Sequence, residues 1–393
     1  MLTNIYNMYE RKTRVLFFIA MTVSLIGKLY MYSVWPLHEL ANKFAVIGLC
    51  ICIPRIISVL YSIQMKYALL WCILCPFMLF ICYNVHERTY VLFPFCFCIA
   101  AWNIPFRSII KVFFLINLVF FIVTVSSSIL GIIANENYGR YELDMTDLQK
   151  GNTFKNRYCF GYNWPTATAA HVTYLNIMWF YLRKGILKKI DYIIIGVSIW
   201  FVMSFCDART DMVCMFLIVM ISIYYRYRVN YSWVEKKLLS YSVPICAFIF
   251  IFLTYQYQQS DSEFYKMLNV ITSGRLKLGA DALFSYGVKI FGQEYIQHGG
   301  VSDDYNFIDC SYLVWLIIYG ALFFALGIIT FVIICKRSMA TKEYLTALCL
   351  AILSIESSIA TVMLTFSFNP FFMALFAKNT NTSEKKINIS YNA

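Results

Sequence analysis

The sequence predicts an all-α, polytopic integral membrane protein with about twelve transmembrane helices, forming a single membrane domain over 1–393. Three observations carry that expectation. The 393 residues are 60% hydrophobic and 14% charged, whereas soluble domains run at about 45–50% and roughly 25%. The apolar residues fall in blocks close to the 20 or so residues that cross a hydrocarbon core at about 1.5 Å each. Basic residues concentrate in alternate connecting segments. This composition excludes an ordinary soluble protein and a disordered chain.

Spans are expected at 15–34, 42–60, 67–83, 89–103, 109–133, 165–182, 190–206, 210–226, 239–256, 309–334, 343–359 and 362–377. The first follows Arg11, Lys12 and Arg14, exceeds a signal-peptide core and has no A-x-A site after it, so it reads as a span. The last two come from one apolar run too long for a single crossing, divided near Glu356–Thr361. Lys28 and Arg55 lie toward span ends and are expected to snorkel. The 14 cysteines sit almost entirely in apolar blocks and read as small lipid- or core-facing residues, with no disulfide framework or zinc site indicated.

With the N-terminus inside, the inner segments hold twenty basic and five acidic residues, and the outer segments eleven basic and sixteen acidic. Short inner loops rich in Lys and Arg set orientation in bilayers. Both termini are therefore expected in the cytoplasm, and the net charge of +12 reports topology, with no nucleic acid implied as a partner. No inner loop carries a G-x-x-x-x-G-K-[ST] sequence for a nucleotide. Two outer segments, 134–164 and 257–308, are long. Long loops of this kind are usually functional, which puts function on the outer face.

The first outer loop ends in Arg157-Tyr-Cys-Phe-Gly161-Tyr-Asn-Trp164-Pro165-Thr166. Pro165 suits the first turn of a helix, and Arg157 beside that helix start makes an anion site; the other reading is an Arg held by Asp144 or Asp147. Between spans seven and eight, Asp207-Ala-Arg209-Thr-Asp211 crowds a membrane boundary, where unused charge is costly. Asp207 or Asp211 could pair with Arg209 or simply favour the helix dipole. In the second loop, Ser273 is a fair N-cap for an amphipathic helix over about 274–290, with Arg275 in its first turn. The loop closes on His298, Asp303, Asp304 and then Asp309 at the mouth of the tenth span. Asp309 is a candidate general base, and Asp303 with Asp304 is weak grounds for a metal, so no metal is assigned. Glu356 lies near the outer end of span eleven, facing the arginines' cavity or capping the break. Tyr158, Tyr162, Tyr295 and Tyr305 could stack on sugar rings.

Arg157…Gly161…Pro165, Arg209-Thr, Ser273-Gly-Arg275-Leu and Asp309-Cys-Ser-Tyr312-Leu…Tyr319-Gly320 occur in that order at outer span edges. The set resembles the Wzy-type polymerases of O-antigen and capsular polysaccharide repeat units, within the O-antigen ligase and polymerase superfamily. The resemblance covers most of the chain as architecture, and its motifs are short. It implies a GT-C-like membrane fold and an undecaprenyl-pyrophosphate-linked oligosaccharide as donor and acceptor. It implies no cofactor, and a chain-length regulator and a flippase as partners in a bacterial cytoplasmic membrane. Pyrophosphate and substrate binding would map onto Arg157, Arg209, Arg275 and Tyr312, and catalysis onto Asp309 and Glu356. Related ligases carry a His near the start of the span after the large loop, where this chain has Asp309. Glu356 ahead of Asn369-Pro370-Phe371-Phe372 also resembles the family's final-span pattern. Trp164 and Thr166 depart from the small-residue or Pro-Asn pattern of that loop. A glycan ligase and a lipid-linked oligosaccharide flippase are the rival readings, the second opposed by the lack of an internal repeat.

Overall fold

The computed structural model describes residues 2–36, 38–62, 65–85, 88–143, 150–227, 231–297 and 306–379. His298, Asp303, Asp304, Tyr305, Asp144 and Asp147 lie outside the described residues. The chain is mostly helical. In order it forms α1 (Leu2–Met31), α2 (His38–Ser62), α3 (Met65–Asn84), α4 (Arg88–Ala100) and α5 (Phe106–Ile129). An antiparallel hairpin follows, β1 (Asn137–Leu143) and β2 (Lys150–Tyr158). Next come α6 (Pro165–Leu182), α7 (Lys189–Phe201) and α8 (Arg209–Tyr227). They are followed by α9 (Trp233–Ser240), α10 (Ser242–Gln259), α11 (Glu263–Ile271), α12 (Arg275–Tyr286), α13 (Ser311–Leu313), α14 (Ala321–Ala340) and α15 (Tyr344–Ser357).

Six helices among the described residues are long and apolar enough to cross a membrane: Glu10–Met31, Glu39–Tyr61, Phe106–Ile129, Lys189–Cys206, Arg209–Tyr227 and Ala321–Ala340. The pair α9 and α10, bent by 60° at Tyr241, makes a seventh if counted as one span. These helices expose Val, Ile, Leu and Phe side chains, as a multi-pass membrane protein must toward lipid. α6 behaves differently. It packs against α5, α8 and α15, and nearly every side chain on it is buried, including Thr168, His171, Thr173 and Asn176. Its polar residues face protein, which explains why it is less apolar than its neighbours.

The helical architecture is interrupted by the hairpin in the first long loop. Two expected spans also change form. The tenth, 309–334, is broken. α13 runs into a π turn over Val314–Ile318, the chain reverses at Gly320 with φ +94°, and the long helix is Ala321–Ala340. The break is clasped by the irregular segment 287–293. Lys289 and Ile290 carbonyls accept from the Ala321 and Leu322 amides at 2.9 and 3.1 Å, and the Ile318 carbonyl accepts from Gln293 N–H at 2.9 Å. Two of the orphan donors of the new helix start are thereby satisfied. A Cβ at Gly320 would sit 2.6 Å from the Ile290 oxygen, and positive φ adds strain for any other residue. Gly320→Ala is therefore expected to cost about 2–4 kcal/mol, read as a lower melting temperature of the detergent-solubilised protein. Gly196→Ala, in open space on α7, should leave that temperature unchanged or raise it.

The twelfth expected span, 362–377, is not a helix. After α15 ends at Ser357 the chain continues through turns to a single 3-10 turn, Phe371–Leu375. It remains buried, with Met363, Phe366, Phe368, Asn369 and Phe371 all below 5% exposure. Irregular backbone at such depth needs internal partners, and it has them. Ser311 Oγ donates to the Ala360 carbonyl at 2.7 Å, Asn369 Nδ2 to the Met363 carbonyl at 2.6 Å, and Arg337 Nη1 to the Leu375 carbonyl at 2.7 Å. Lys378 then pairs with the turn before α5 through Ile104 and Phe106. The segment thus runs the length of the bundle.

Neither intraspan cation snorkels. Arg55 is 2% exposed and donates to the Ala100 and Trp102 carbonyls at the end of α4, at 3.2 and 2.5 Å. Lys28 is buried with its ammonium 4.7 Å from the centre of the Phe93 ring.

Candidate functional site

At the end of the bundle that carries the hairpin, two adjoining cavities open among residues far apart in sequence. The larger, about 470 Å³, is lined by Tyr32, Tyr138, Trp164, Arg157, Arg275 and Asp309, with the irregular segment from Ala360 to Phe368 as its floor. The smaller, about 80 Å³, adds Arg209, Asp211 and Glu356 and shares Arg157, Thr166, Ser273 and Arg275 with the first. Five of the six expected site residues, Arg157, Arg209, Arg275, Asp309 and Glu356, therefore line one connected space.

Each reaches it through a local device. Arg157 ends β2, and its Nε donates to the Cys206 carbonyl at 2.8 Å. That carbonyl closes the π turn Val202–Cys206, after which Asp207 turns the chain with φ +51°. The loop after β2 is tied to the end of α1, with the Gly161 carbonyl accepting from Val34 N–H at 3.0 Å and Asn163 Nδ2 donating to the Met31 carbonyl at 2.9 Å. Pro165 occupies the first turn of α6, as its missing N–H allows. Burial pushes the Arg157 guanidinium below its ordinary value, Asp207 opposes that shift, and the neighbouring positive charge of Arg275 adds to it. An anion between the two arginines would relieve both the desolvation and the repulsion.

Arg209 opens α8, is exposed, and makes no hydrogen bond among the described residues. Arg275 opens α12. Ser273, expected as that helix's N-cap, is instead the left-handed end of α11, φ +61°, with its N–H bonded to the Val270 carbonyl and that of Gly274 to the Asn269 carbonyl. These two bonds, from C′ to C2 and from C″ to C3, make a Schellman helix ending. The cap of α12 comes from the preceding helix, since Asn269 Oδ1 accepts from Lys277 N–H at 2.9 Å. The expected amphipathic helix is thus Arg275–Tyr286, preceded by the shorter α11.

Arg275 Nε donates to Asp309 Oδ2 at 3.2 Å, each side chain about one-fifth exposed, at 20% and 21%. Asp309 is held by an arginine before any ligand arrives. Glu356 is the opposite case. It is 1% exposed, and among the described residues neither of its carboxyl oxygens meets a donor. Its charged neighbour is Asp211, whose Oδ1 accepts from Thr173 Oγ1 at 2.9 Å. Two acids thus share the inner wall of the small cavity below three arginines. This charge pattern suits binding a multivalent anion and accepting a proton nearby.

Tyr312 lines neither cavity. It is fully buried, and its hydroxyl donates to the Ser354 carbonyl at 2.9 Å, which fixes α13 to α15. Tyr162 and Tyr295 are also buried, and Tyr158 packs on Phe160 and Phe205. The aromatic rings that do line the larger cavity include Tyr32, Tyr138, Trp164 and Phe368. Sequence reasoning also missed Asp211 as part of the acidic wall. Its signal was present, an acid two residues after Arg209 at a membrane boundary, but helix dipole and ion pairing explained it equally well.

Comparison of the chain with protein-family models, with curated proteins and with solved structures finds no match in any of the three, so the site is read from its own residues.

Proposed function

We propose that this protein is a polysaccharide polymerase that joins undecaprenyl-pyrophosphate-linked repeat units on the outer face of a bacterial cytoplasmic membrane. One observation carries the reading: Arg157, Arg209 and Arg275 come from three separate elements to one cavity end that also holds Asp309, Asp211 and Glu356. An outer-face transfer has no nucleotide sugar to draw on, so its donor arrives activated on a lipid. The architecture is read as twelve crossings when α3, α4, α6, α15 and the irregular run after α15 are added to the seven spans above, with both termini inside.

In this mechanism Arg209 and Arg275 hold the donor pyrophosphate, and Arg157 holds donor or acceptor phosphate. The acceptor hydroxyl attacks the anomeric carbon as the bond from that carbon to the phosphate oxygen breaks. The electron pair leaves on the pyrophosphate, whose growing charge the fixed guanidiniums stabilise. The hydroxyl proton passes to a carboxylate, Asp309 or Glu356. A single displacement inverts the anomeric configuration, and no metal is required.

The test is a gel of surface and lipid-linked glycan from cells lacking this chain, complemented with wild type, Arg275→Ala or Asp309→Ala. Single repeat units accumulating at the outer face, with a ladder restored only by wild type, is the expected result. Normal-length glycan stranded on the carrier would make it a ligase, and units trapped on the inner leaflet a flippase. Retention of configuration, or loss of transfer on adding EDTA, would overturn the mechanism.

A further inference from the structure

We propose that Tyr138 and Trp164 form a sugar-binding platform at the mouth of the larger cavity, seating the ring next to the phosphate held at Arg157. The proposal rests on the glycosyl-transfer reading and assigns a subsite within it. Tyr138 lies directly opposite Arg157 in the hairpin register, and directly paired residues project from the same face with Cβ atoms about 4.5–5.5 Å apart. Trp164, at the start of α6, is 41% exposed, and its ring centre lies 4.8 Å from that of Tyr138 at an angle of 34°. Both rings line the cavity together with Arg157, Arg275 and Asp309.

The chemistry is that of a carbohydrate site. Flat aromatic faces cover the apolar C–H face of a pyranose, while neighbouring polar groups take its hydroxyls. A carboxylate stands beside the platform, since Tyr138 Oη donates to Glu136 Oε2 at 2.7 Å. That bond raises the Tyr138 hydroxyl to about 12, so the ring stays neutral beside the phosphate. The cavity's 470 Å³ falls within the about 300–1,000 Å³ of small-molecule sites. The 80 Å³ neighbour does not, which leaves it the phosphate group. The division of labour follows from the hairpin: one strand presents the ring and the other the guanidinium, as the two members of one directly opposed pair.

The rival account makes Tyr138 and Trp164 ordinary aromatic anchors at a membrane interface. Binding separates the two. Full-length protein in nanodiscs would be titrated with decaprenyl diphosphate and with the same lipid diphosphate carrying one hexose. Wild type should bind the glycosylated form at least 10-fold tighter. Trp164→Ala and Tyr138→Ala should each shrink that gap to 2-fold or less with little change toward the bare diphosphate, and Trp164→Phe should keep most of it. Arg157→Ala should weaken both ligands. Equal affinity of wild type for the two lipids, or equal weakening of both by Trp164→Ala, would overturn the platform and leave the glycosyl-transfer reading standing. Failure of wild type to bind either lipid would overturn both.

Discussion

Arg275→Ala should reduce chain extension by at least 100-fold while leaving the melting temperature of the protein nearly unchanged. Removing one preorganised donor to a developing anion costs about 10²–10³ in rate, and Arg275 borders both cavities. It also holds Asp309 at 3.2 Å, so its loss frees a carboxylate that would then repel the incoming phosphate. Stability should move little, because partly exposed ion pairs contribute about 0–1 kcal/mol. Arg275→Lys should recover only part of the rate, since a lysine ammonium cannot bridge carboxylate and phosphate with a planar fork. The measurement is extension of purified lipid-linked repeat units by reconstituted protein. A rate for Arg275→Ala within threefold of wild type would remove this residue from the site.

The second large effect has opposite signs in two assays. Glu356→Met should abolish extension, again by 100-fold or more, and should raise stability by about 1–3 kcal/mol. Among the described residues the buried carboxyl meets no donor on either oxygen and faces a second acid, Asp211, so the fold alone gains nothing from keeping it. Met fills a similar volume without that cost. Glu356→Gln should lose activity too where Glu356, rather than Asp309, takes the hydroxyl proton, because an amide cannot accept it. A Glu356→Met protein that melts lower than wild type would show that the carboxyl holds the fold together.

The long apolar helices were legible in the sequence because lipid demands unbroken runs, and α1, α2, α5, α8 and α14 answer to that demand. What escaped was determined by protein–protein contact inside the bundle. The run 362–377 is rich in Phe, Met and Leu, yet its groups pair with Ser311, Asn369 and Arg337 side chains, partners that composition does not reveal. The break at Gly320 is likewise set by a segment some thirty residues earlier, 287–293. The arginines of the site could be found because charge at a membrane edge is expensive. Tyr312 was misplaced because motif position carries no information on side-chain direction, and in the fold its hydroxyl is spent on Ser354. Tyr138 was invisible until the hairpin paired it with Arg157.

The largely buried run from Val362 to Ala377 bears on how the molecule is assembled. A helix satisfies its own backbone and can enter a bilayer alone, but this stretch cannot, since its amides and carbonyls depend on side chains of α13 and α14 and on the turn before α5. It has to be drawn in after those partners are already in place. The floor of the larger cavity, from Ala360 to Phe368, is thus laid last. The candidate cavity is complete only once that segment has docked, so the bundle is closed there by a thread and not by another pillar.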